Sequence, residues 1–548
     1  MPMPMFLRLI MALGIPRLLQ RLGLFSRLLV GRENGLATLP LEILTEVFKN
    51  LQLSDLLRVR QVCRSLHRAT TAKSIWVHHY RRCEGMSPGT LTLEKSIDLY
   101  SSQELERAVL VWESTQVGWR TKDGTPSRRR TITMADARSC RQLTWTEYFH
   151  DAYLVPGGRW LLVFQAEGEI SYYDLDSVDY QTKRILVPDY VNAAPNTMVS
   201  FTVDASSSFP GQNFRLAQYV RKNRNDLQGP IHRTIKIWEI SSVLEGDDVT
   251  GLTATCLKTV QVDPALGDRR VLLSLRDRYL AIAVSPATAK RWHYFILIVE
   301  WPLVEEGSLD YSRRVLNTHL HAEGEIHLLS DERLMAFIPE LCLYDYSSAE
   351  YTISTPAAGE YFDLTPPTQC KSLPYSNRTK ISAPVLSQGC VWFLVTMDDV
   401  ARVVTIPDNS RIPEAKSSPT TFIAKDLIPL PYFFPCRFWT ARYSFGRRFG
   451  ILYADNIDTH ACELILLEYD VAKEFTPDYV PVVKSIPCGR IPSPVEQNGD
   501  EDQEQIWYDE LPHCNVLFDE GSGRAVLPVS NRFEVLDFAL VYGYGRTP

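Results

Sequence analysis

Hydrophobic positions follow two different periods along this chain. Between Leu39 and Leu51 they recur about every 3.6 residues, as in an amphipathic helix, and this spacing continues from Leu56 to Leu66. From about residue 150 the period changes to two, which is typical of strands with one buried face. The pattern predicts an α+β multidomain protein, in which a small all-α segment precedes a long all-β region.

The helical segment carries its own start signals. Pro40 suits a first helical turn because its missing N–H has no partner there, and Ser54 marks the start of a second helix. Ile75 and Trp76 add an apolar anchor on a further helix. Helices this short bury little surface by themselves, so we expect the unit to need a partner or a docking surface.

Residues 84–150 are predicted to form a connector. Ser101 and Glu104 have the spacing of a capping box at the start of a helix. The helix that follows has one apolar face, formed by Leu105, Ala108, Val109 and Trp112. Residues 120–133 are polar and basic, and we interpret Arg128-Arg129-Arg130 as a solvated loop, with a phosphate-binding or nuclear-targeting segment as the alternative.

The region from 151 to 548 repeats one theme: an apolar strand, a polar turn, and a strand that ends beside an acid. The repeats are irregular, at intervals of roughly 45 to 70 residues, and lack strict Gly-His and Trp-Asp marks. They favour an all-β propeller of about seven divergent blades, with six or eight blades, or two separate β-domains, as alternatives. The segments are 153–176, 233–241, 278–302, 333–348, 390–408, 448–472 and 522–539.

Composition narrows the class of function. The 548 residues exceed one ordinary core, and the net charge of -7 argues against a general nucleic-acid binder. Eleven cysteines are scattered singly without a CxxC pair, which indicates a reducing compartment and hence a cytoplasmic and/or nuclear location.

The first 35 residues form an apolar, Arg-rich leader. Five arginines precede the first acid, Glu33, and prolines interrupt any helix. We interpret this leader as disordered or loosely docked. Membrane contact through residues 1–32, or targeting to an organelle, is the alternative.

Motifs that would indicate catalysis or a cofactor are missing from the sequence. It contains no GxxxxGK, HExxH or GxSxG motif. His319, His321 and Glu323 would share one face of a strand, with His327 nearby, but alternating polar residues are also usual on a solvent-facing strand. The acidic segment from Gly499 is interpreted as a solvated loop. We therefore predict no catalytic residue, metal or cofactor.

The helical segment resembles a known family. LPLEILTEVFKNLQLSDLLRVRQVCRSLHRA is similar to an F-box: it has the opening Leu-Pro, the Ile-Leu and Val-Phe pairs, the Asp-Leu-Leu turn and the Val-Cys-Arg-Ser close. Trp76 downstream also fits. Leu66 departs from the pattern, since the family usually carries tryptophan there. The resemblance places an F-box at residues 36–83.

This resemblance implies a division of labour. F-box proteins dock on the small Skp-type adaptor of a cullin–RING ubiquitin ligase, and a second domain recruits the protein target. The residues expected to contact the adaptor, or to form the core beneath the contact, are Leu39, Pro40, Ile43, Leu44, Val47, Phe48, Leu51, Leu56, Val59, Val62 and Cys63. The substrate would bind to propeller loops, whose residues we do not assign.

Two other interpretations stay open. One is an F-box scaffold that acts outside the ligase, and the other is an enzyme with a catalytic pocket in the propeller. Adaptor binding without a cullin would favour the first, and a pocket lined by clustered carboxylates or histidines would favour the second.

Overall fold

A computed structural model gives the conformation of this chain, and its α and β parts fall into two compact units. Among the described residues, the first unit holds those up to 91, 95–114 and Leu540, and the second holds 92–94 and 115–539. The structure describes residues 39–86, 89–120, 125–134, 151–165, 168–188, 198–204, 213–222, 232–263, 271–284, 293–319, 325–337, 340–353, 364–372, 380–381, 384–387, 390–397, 400–407, 423–429, 442–445, 448–456, 461–468, 482–487, 516–529 and 532–540. The Arg-rich leader and the acidic segment at 499 lie outside them.

Five α-helices and a 3-10 turn at Ile97–Leu99 are present in residues 39–86 and 89–120. The second helix begins at Leu53, one residue before the start signal at Ser54, and Gln52 lies at the cap position. In the described part of the chain, no helix combines the length and apolarity needed to cross a bilayer. The helices are α1 (Leu41–Lys49), α2 (Leu53–Arg60), α3 (Arg64–Thr70), α4 (Lys73–Met86) and α5 (Ser102–Gly118).

The start of α5 is a capping box, as the sequence predicts. The Glu104 amide donates to Ser101 Oγ at 3.2 Å, and the Ser101 amide donates to Glu104 Oε2 at 2.7 Å. Two amides of the first turn, which have no partner inside the helix, are thereby satisfied. Leu105, Val109 and Trp112 are buried on one face.

The second unit is built from seven antiparallel sheets, each with four or five strands in the described ranges. The first strand in the chain, β1 (Arg128–Thr133), belongs to the last sheet. Blade 1 contains β2 (Asp151–Leu154), β3 (Trp160–Phe164), β4 (Ile170–Asp174) and β5 (Arg184–Val187). Blade 2 contains β6 (Met198–Val203), β7 (Asn213–Lys222), β8 (His232–Glu245) and β9 (Asp248–Gln261). Blade 3 contains β10 (Leu272–Arg276), β11 (Tyr279–Val284), β12 (His293–Glu300) and β13 (Arg313–His319), with a 3-10 turn at Trp301–Leu303.

The remaining blades follow the same plan. Blade 4 contains β14 (Glu325–Leu328), β15 (Arg333–Phe337), β16 (Glu340–Asp345) and β18 (Gln369–Ser372), while β17 (Tyr351–Thr352) pairs with β13 of blade 3. Blade 5 contains β19 (Lys380–Ile381), β20 (Val385–Ser387), β21 (Cys390–Met397), β22 (Val400–Pro407) and β23 (Ile423–Pro429). Blade 6 contains β24 (Arg442–Phe445), β25 (Phe449–Asn456), β26 (Ala461–Glu468) and β27 (Val482–Pro487). Blade 7 contains β28 (Leu517–Asp519), β29 (Arg524–Val529), β30 (Arg532–Asp537) and β1.

Apolar clusters join six pairs of neighbouring blades in the described ranges. Separate clusters of buried side chains link blades 1 and 2, 2 and 3, 3 and 4, 4 and 5, and 6 and 7. A further cluster, which includes Leu161 and Val535, joins blade 7 back to blade 1. Consecutive sheets with buried interfaces that return to the first sheet form a seven-bladed propeller. The predicted fold class, a small helical region followed by a propeller of about seven blades, is confirmed.

The ring closes through β1, which pairs antiparallel with β30 as the outer strand of blade 7. The interpretation of Arg128-Arg129-Arg130 as a solvated loop was therefore wrong, and these residues belong to the propeller. Arg129 is paired with Glu534 at 3.1 Å, and Arg130 is buried. The segment forms a strand despite its polar residues, because it hydrogen-bonds to β30 and Arg129 pairs with the buried Glu534.

One carboxylate holds the closure together. Asp537, which is 1% exposed, accepts from Arg524 Nε at 2.6 Å through Oδ1 and from Arg130 Nη2 at 2.7 Å through Oδ2. Arg130 also donates to the carbonyl of Leu175 in blade 1, and Arg524 to Oδ1 of Asp176 at 3.0 Å. Burial by itself would lower the pKa of Arg524, but Asp176 and Asp537 raise it above its ordinary value, so the guanidinium stays charged.

The turn between β2 and β3 makes a second contact at this junction. Gly157 and Gly158 have φ angles of 98° and 72°, which favour glycine. The Gly157 amide donates to Asp519 Oδ1 of blade 7 at 3.1 Å, and a Cβ on Gly158 would lie 2.0 Å from Ser522 Oγ. A side chain at Gly158 would therefore force the two blades apart.

Replacing Asp537 with alanine should destabilise the propeller strongly, because two buried guanidinium groups lose their common carboxylate. We expect a loss of about 3–5 kcal/mol in the free energy of unfolding, measured by urea denaturation of the full chain. Arg129→Ala is the matched control: it also removes an ion pair between β1 and β30, but Arg129 is 46% exposed and should contribute less than about 1 kcal/mol. Equal effects of the two substitutions would contradict this role of Asp537.

Candidate functional site

The eleven residues predicted for adaptor contact divide into two groups. Six of them are at most 4% exposed and form the interior of the helical unit: Leu44, Val47, Phe48, Leu51, Leu56 and Val59. Side chains buried to this extent cannot touch a partner while the unit is folded. Their role in this structure is to hold α1 and α2 in place.

The other five reach the surface. Pro40 and Val62 are exposed, Val62 by 51%, while Leu39, Ile43 and Cys63 are half-buried. Their role in adaptor binding stays a prediction.

Four apolar residues lie around the amino end of α1. We name Leu39, Pro40, Leu41 and Ile43 the first-turn patch. Leu41, which the sequence prediction omitted, is 53% exposed and is the most accessible large apolar side chain of α1. A signal for it was present, because Leu41 precedes Leu44 by three residues and Phe48 by seven and so continues their helical stripe. The stripe extends beyond the core that covers Leu44 and Phe48.

Leu66 and Trp76 stabilise the unit from inside. Leu66, where the F-box pattern usually has tryptophan, is 3% exposed, so leucine preserves the burial at that position. Trp76 is fully buried and its Nε1 donates to the Thr70 carbonyl at 3.0 Å. Trp76 is therefore a packing residue and not a contact residue.

A basic cleft lies on the same unit. It has a volume of about 450 Å³ and is lined by residues of α1 and α4. Lys49 is paired with Glu46 at 2.7 Å, and Lys73 donates to the Asp98 carbonyl at 2.8 Å, while Arg81 is exposed. The cleft is open and cationic, which suits an acidic side chain of a partner.

His79 is a buried base within the unit. It is 3% exposed, and its Nε2 finds no hydrogen-bond partner among the described residues. Burial lowers the pKa of His79, although a hydrogen bond to the Phe48 backbone opposes the shift. The folded helical unit therefore favours the neutral imidazole.

The helical unit matches a protein-family model. The model, named F-box-like, covers residues 36–82. Residues 36–82 form an F-box-like domain. The resemblance inferred from the sequence is thus confirmed for these residues: the chain carries an F-box-like domain, and a propeller-like domain follows it. No curated protein matches the chain.

Solved propellers resemble the second unit only distantly. The Cps50 (Swd1) β-propeller domain of Myceliophteria thermophila is 11% identical, with a TM-score of 0.39, over 75% of this chain and 99% of that one. The C-terminal WD40 domain of Sif2 is 9% identical, with a TM-score of 0.33, over 71% of this chain and 97% of that one. These scores carry no argument of their own, and the propeller assignment rests on the seven sheets and their closure.

On the propeller, a cluster of polar side chains lies between blades 3 and 4. Glu332 accepts from Tyr279 Oη at 2.7 Å and from Arg314 Nη1 at 2.8 Å, while Tyr351 donates to Glu300 Oε1 at 2.6 Å. Burial alone would raise the pKa of Glu332, but these hydrogen bonds hold it below its ordinary value. The acids are engaged by neighbouring side chains, so the cluster is a fixed polar surface.

The histidine motif does not assemble a metal site in the described part of the chain. His321 and Glu323 lie outside the described residues, as does the side chain of His319. His327 is described, and its Nε2 is 3.2 Å from Glu325 Oε2.

The buried His79 should make the stability of the helical unit depend on pH. Its pKa in the folded unit lies below the unfolded value of about 6.5, so the unfolded state binds more protons in this range. The contribution of neutral His79 to the free energy of unfolding is fully present well above pH 6.5. It should be lost as the pH falls below 6.5, by at most about 1.4 kcal/mol per pH unit. Hydrogen exchange of α4 peptides in the full chain, at pH 5.5 and 7.5, measures this change.

Variants at adjacent histidines separate this effect from others. His79→Leu should abolish the pH dependence of α4 protection, once intrinsic exchange rates are corrected. His78→Leu, at an exposed neighbour, should retain it. A wild-type protein whose protection does not change with pH would exclude the proposed role of His79.

Proposed function

We propose that this protein is the substrate-recognition subunit of a Skp–cullin–F-box type ubiquitin ligase, acting in the cytoplasm and/or nucleus. The observation that carries the proposal is the presence of an F-box-like domain and a seven-bladed propeller on one chain. The first would dock on the Skp-type adaptor, and through it on a cullin, while the propeller recruits a protein target.

The first-turn patch supports the docking role. Its apolar side chains lie where none of the described elements fully covers α1, and fully burying one leucine contributes roughly 1.5–3 kcal/mol. A partner that covers Leu41 and its neighbours would thus gain affinity without disturbing the core. The basic cleft adds a complementary charge for an acidic partner surface.

The propeller supports the recruiting role. Loops between strands are where binding residues are usually placed on a rigid scaffold, and a seven-bladed ring offers many such loops. In this role the protein catalyses no reaction itself. It raises the local concentration of a target beside the ubiquitin-loaded enzyme held elsewhere on the cullin scaffold.

Leu41→Asp should weaken adaptor binding by at least tenfold, since the charge would be buried at the contact. An acid in a first helical turn interacts favourably with the helix dipole, so the fold should persist. Biolayer interferometry with the full chain and a recombinant Skp-type adaptor measures the effect.

Leu99→Asp is the matched control. Leu99 is also an exposed leucine of the helical unit, at 41%, but lies outside the F-box-like match. The affinity of the Leu99→Asp variant for the adaptor should equal that of the wild type. Substitutions at Leu44 and Phe48 are unsuitable because these side chains form the core and their loss would unfold the unit. An unchanged affinity of Leu41→Asp would refute the patch as the docking site.

Cullin recruitment separates the ligase subunit from a scaffold outside the ligase. Purified chain, adaptor and cullin should elute as one ternary complex in gel filtration, and Leu41→Asp should remove the chain from it. A stable complex with the adaptor that excludes the cullin would reject the ligase role.

A further inference from the structure

Blade 4 brings two cysteines together that are far apart in sequence. Cys342 on β16 and Cys370 on β18 are directly opposite each other in the antiparallel register. Their sulfurs are 2.8 Å apart, although 28 residues separate them along the chain. No sequence motif indicates this pair, because the spacing arises only from strand pairing.

A carboxylate completes the cluster. Glu340 precedes Cys342 by two residues and therefore shares its face of β16. Cys370 Sγ donates to Glu340 Oε2 at 2.9 Å. Cys342 is 5% exposed, whereas Cys370 and Glu340 are exposed, so a small reagent reaches Cys370 first.

We propose that Cys342 and Cys370 are a reversible dithiol switch, which glutathione disulfide or a similar small disulfide converts into a cross-strand disulfide. Directly opposed residues of an antiparallel pair have Cβ atoms roughly 4.5–5.5 Å apart, close to the ~3.5–4.5 Å that a disulfide requires. Closure therefore needs little movement of the backbone.

The chemistry consists of two exchange steps. Cys370 loses its proton and attacks glutathione disulfide, forming a mixed disulfide and releasing one glutathione thiolate. Cys342 loses its proton and attacks Cys370 Sγ, forming the Cys342–Cys370 bond and releasing the second glutathione thiolate. The two cysteine protons end on the two released glutathiones, so two thiols are oxidised and one disulfide is reduced.

The surroundings set the rate of these steps. Burial raises the pKa of Cys342, and burial together with hydrogen bonds to Cys342 and Glu340 raises that of Cys370. The titratable side chains that face the pair are Glu340 and Tyr344. Both cysteines are thus thiols near neutral pH, and exchange is slow until the pH rises.

The disulfide would fix a connection between two blades. The 28-residue span from Cys342 to Cys370 contains β17. This strand pairs with β13 of blade 3, and the chain then returns to blade 4 as β18. Oxidation would covalently close this excursion and hold β18 on β16. The switch therefore changes the rigidity of the outer edges of blades 3 and 4.

The sulfurs of Cys342 and Cys370 and a carboxylate oxygen of Glu340 lie within 4.8 Å of one another. A thiophilic metal ion is therefore the competing occupant. Two sulfurs on one tetrahedral zinc, each about 2.3 Å from the metal, would be roughly 3.8 Å apart. The observed 2.8 Å is well below this separation. The geometry favours the dithiol.

The test maps the thiols of the full-length protein. The reduced protein is equilibrated with glutathione redox buffers at pH 8.5, quenched in acid, alkylated with N-ethylmaleimide and digested for mass spectrometry. We expect the two peptides that contain Cys342 and Cys370 to be joined, lighter by two hydrogen atoms than their reduced sum, and separated again by dithiothreitol. The oxidised protein should also melt a few degrees higher, because a loop is closed.

Matched variants identify the pair. Cys370→Ser should leave Cys342 free to be alkylated, whereas Cys256→Ser, at an exposed cysteine on blade 2, should leave the cross-link intact. Glutathione on Cys370 alone, or Cys342 joined to another cysteine, would overturn the proposal. So would one equivalent of zinc in the reduced protein that is lost in Cys370→Ser, since this would assign a metal site.

Discussion

The propeller depends on the ion pairs of one buried carboxylate. Asp537 binds Arg130 from the closing strand and Arg524 from its own blade, and both arginines continue to blade 1 through Leu175 and Asp176. Blade 7 is completed by β1, a strand from the start of the domain, so the last blade is tied to the chain that enters blade 1. Buried guanidinium groups need a partner, and Asp537 supplies it for two of them. The ion pairs of Asp537 thus both stabilise the closure and select the strand that completes blade 7.

Much of this fold could be predicted from the sequence, because period and capping are local properties. The helical stripe of α1, the capping box at Ser101 and the acids that end the third strands at Asp174 and Asp537 all have their predicted structures. Long-range pairing could not be predicted. The sequence of Arg128-Arg129-Arg130 is that of a polar loop, and only pairing with β30, the strand at Arg532–Asp537, makes it β-structure. In blade 2 the sequence pattern predicts a repeat segment only at 233–241, although strands β8 and β9 are each 14 residues long.

The candidate site shows the same limit on a smaller scale. Apolar periodicity identified the residues that matter in α1 and α2, but it could not separate the core from the surface, because both lie on one stripe. The structure separates them: Leu44 and Phe48 are covered, whereas Leu41, one turn earlier, is not. The exposed Leu41 is the side chain on which the proposed docking role rests. Cysteine pairing escaped prediction for a related reason, since register, not spacing, places Cys342 opposite Cys370.

The proposed function joins these parts: the helical unit docks, and the propeller selects. The most direct measurement is affinity purification of the full chain from its own cells, with and without proteasome inhibition, comparing the wild type with Leu41→Asp by quantitative mass spectrometry. The account predicts that adaptor and cullin co-purify with the wild type only. It also predicts that propeller-bound proteins accumulate in ubiquitylated form on inhibition with the wild type, and persist without ubiquitin with Leu41→Asp. Identical partner sets and identical ubiquitylation for the two proteins would contradict it.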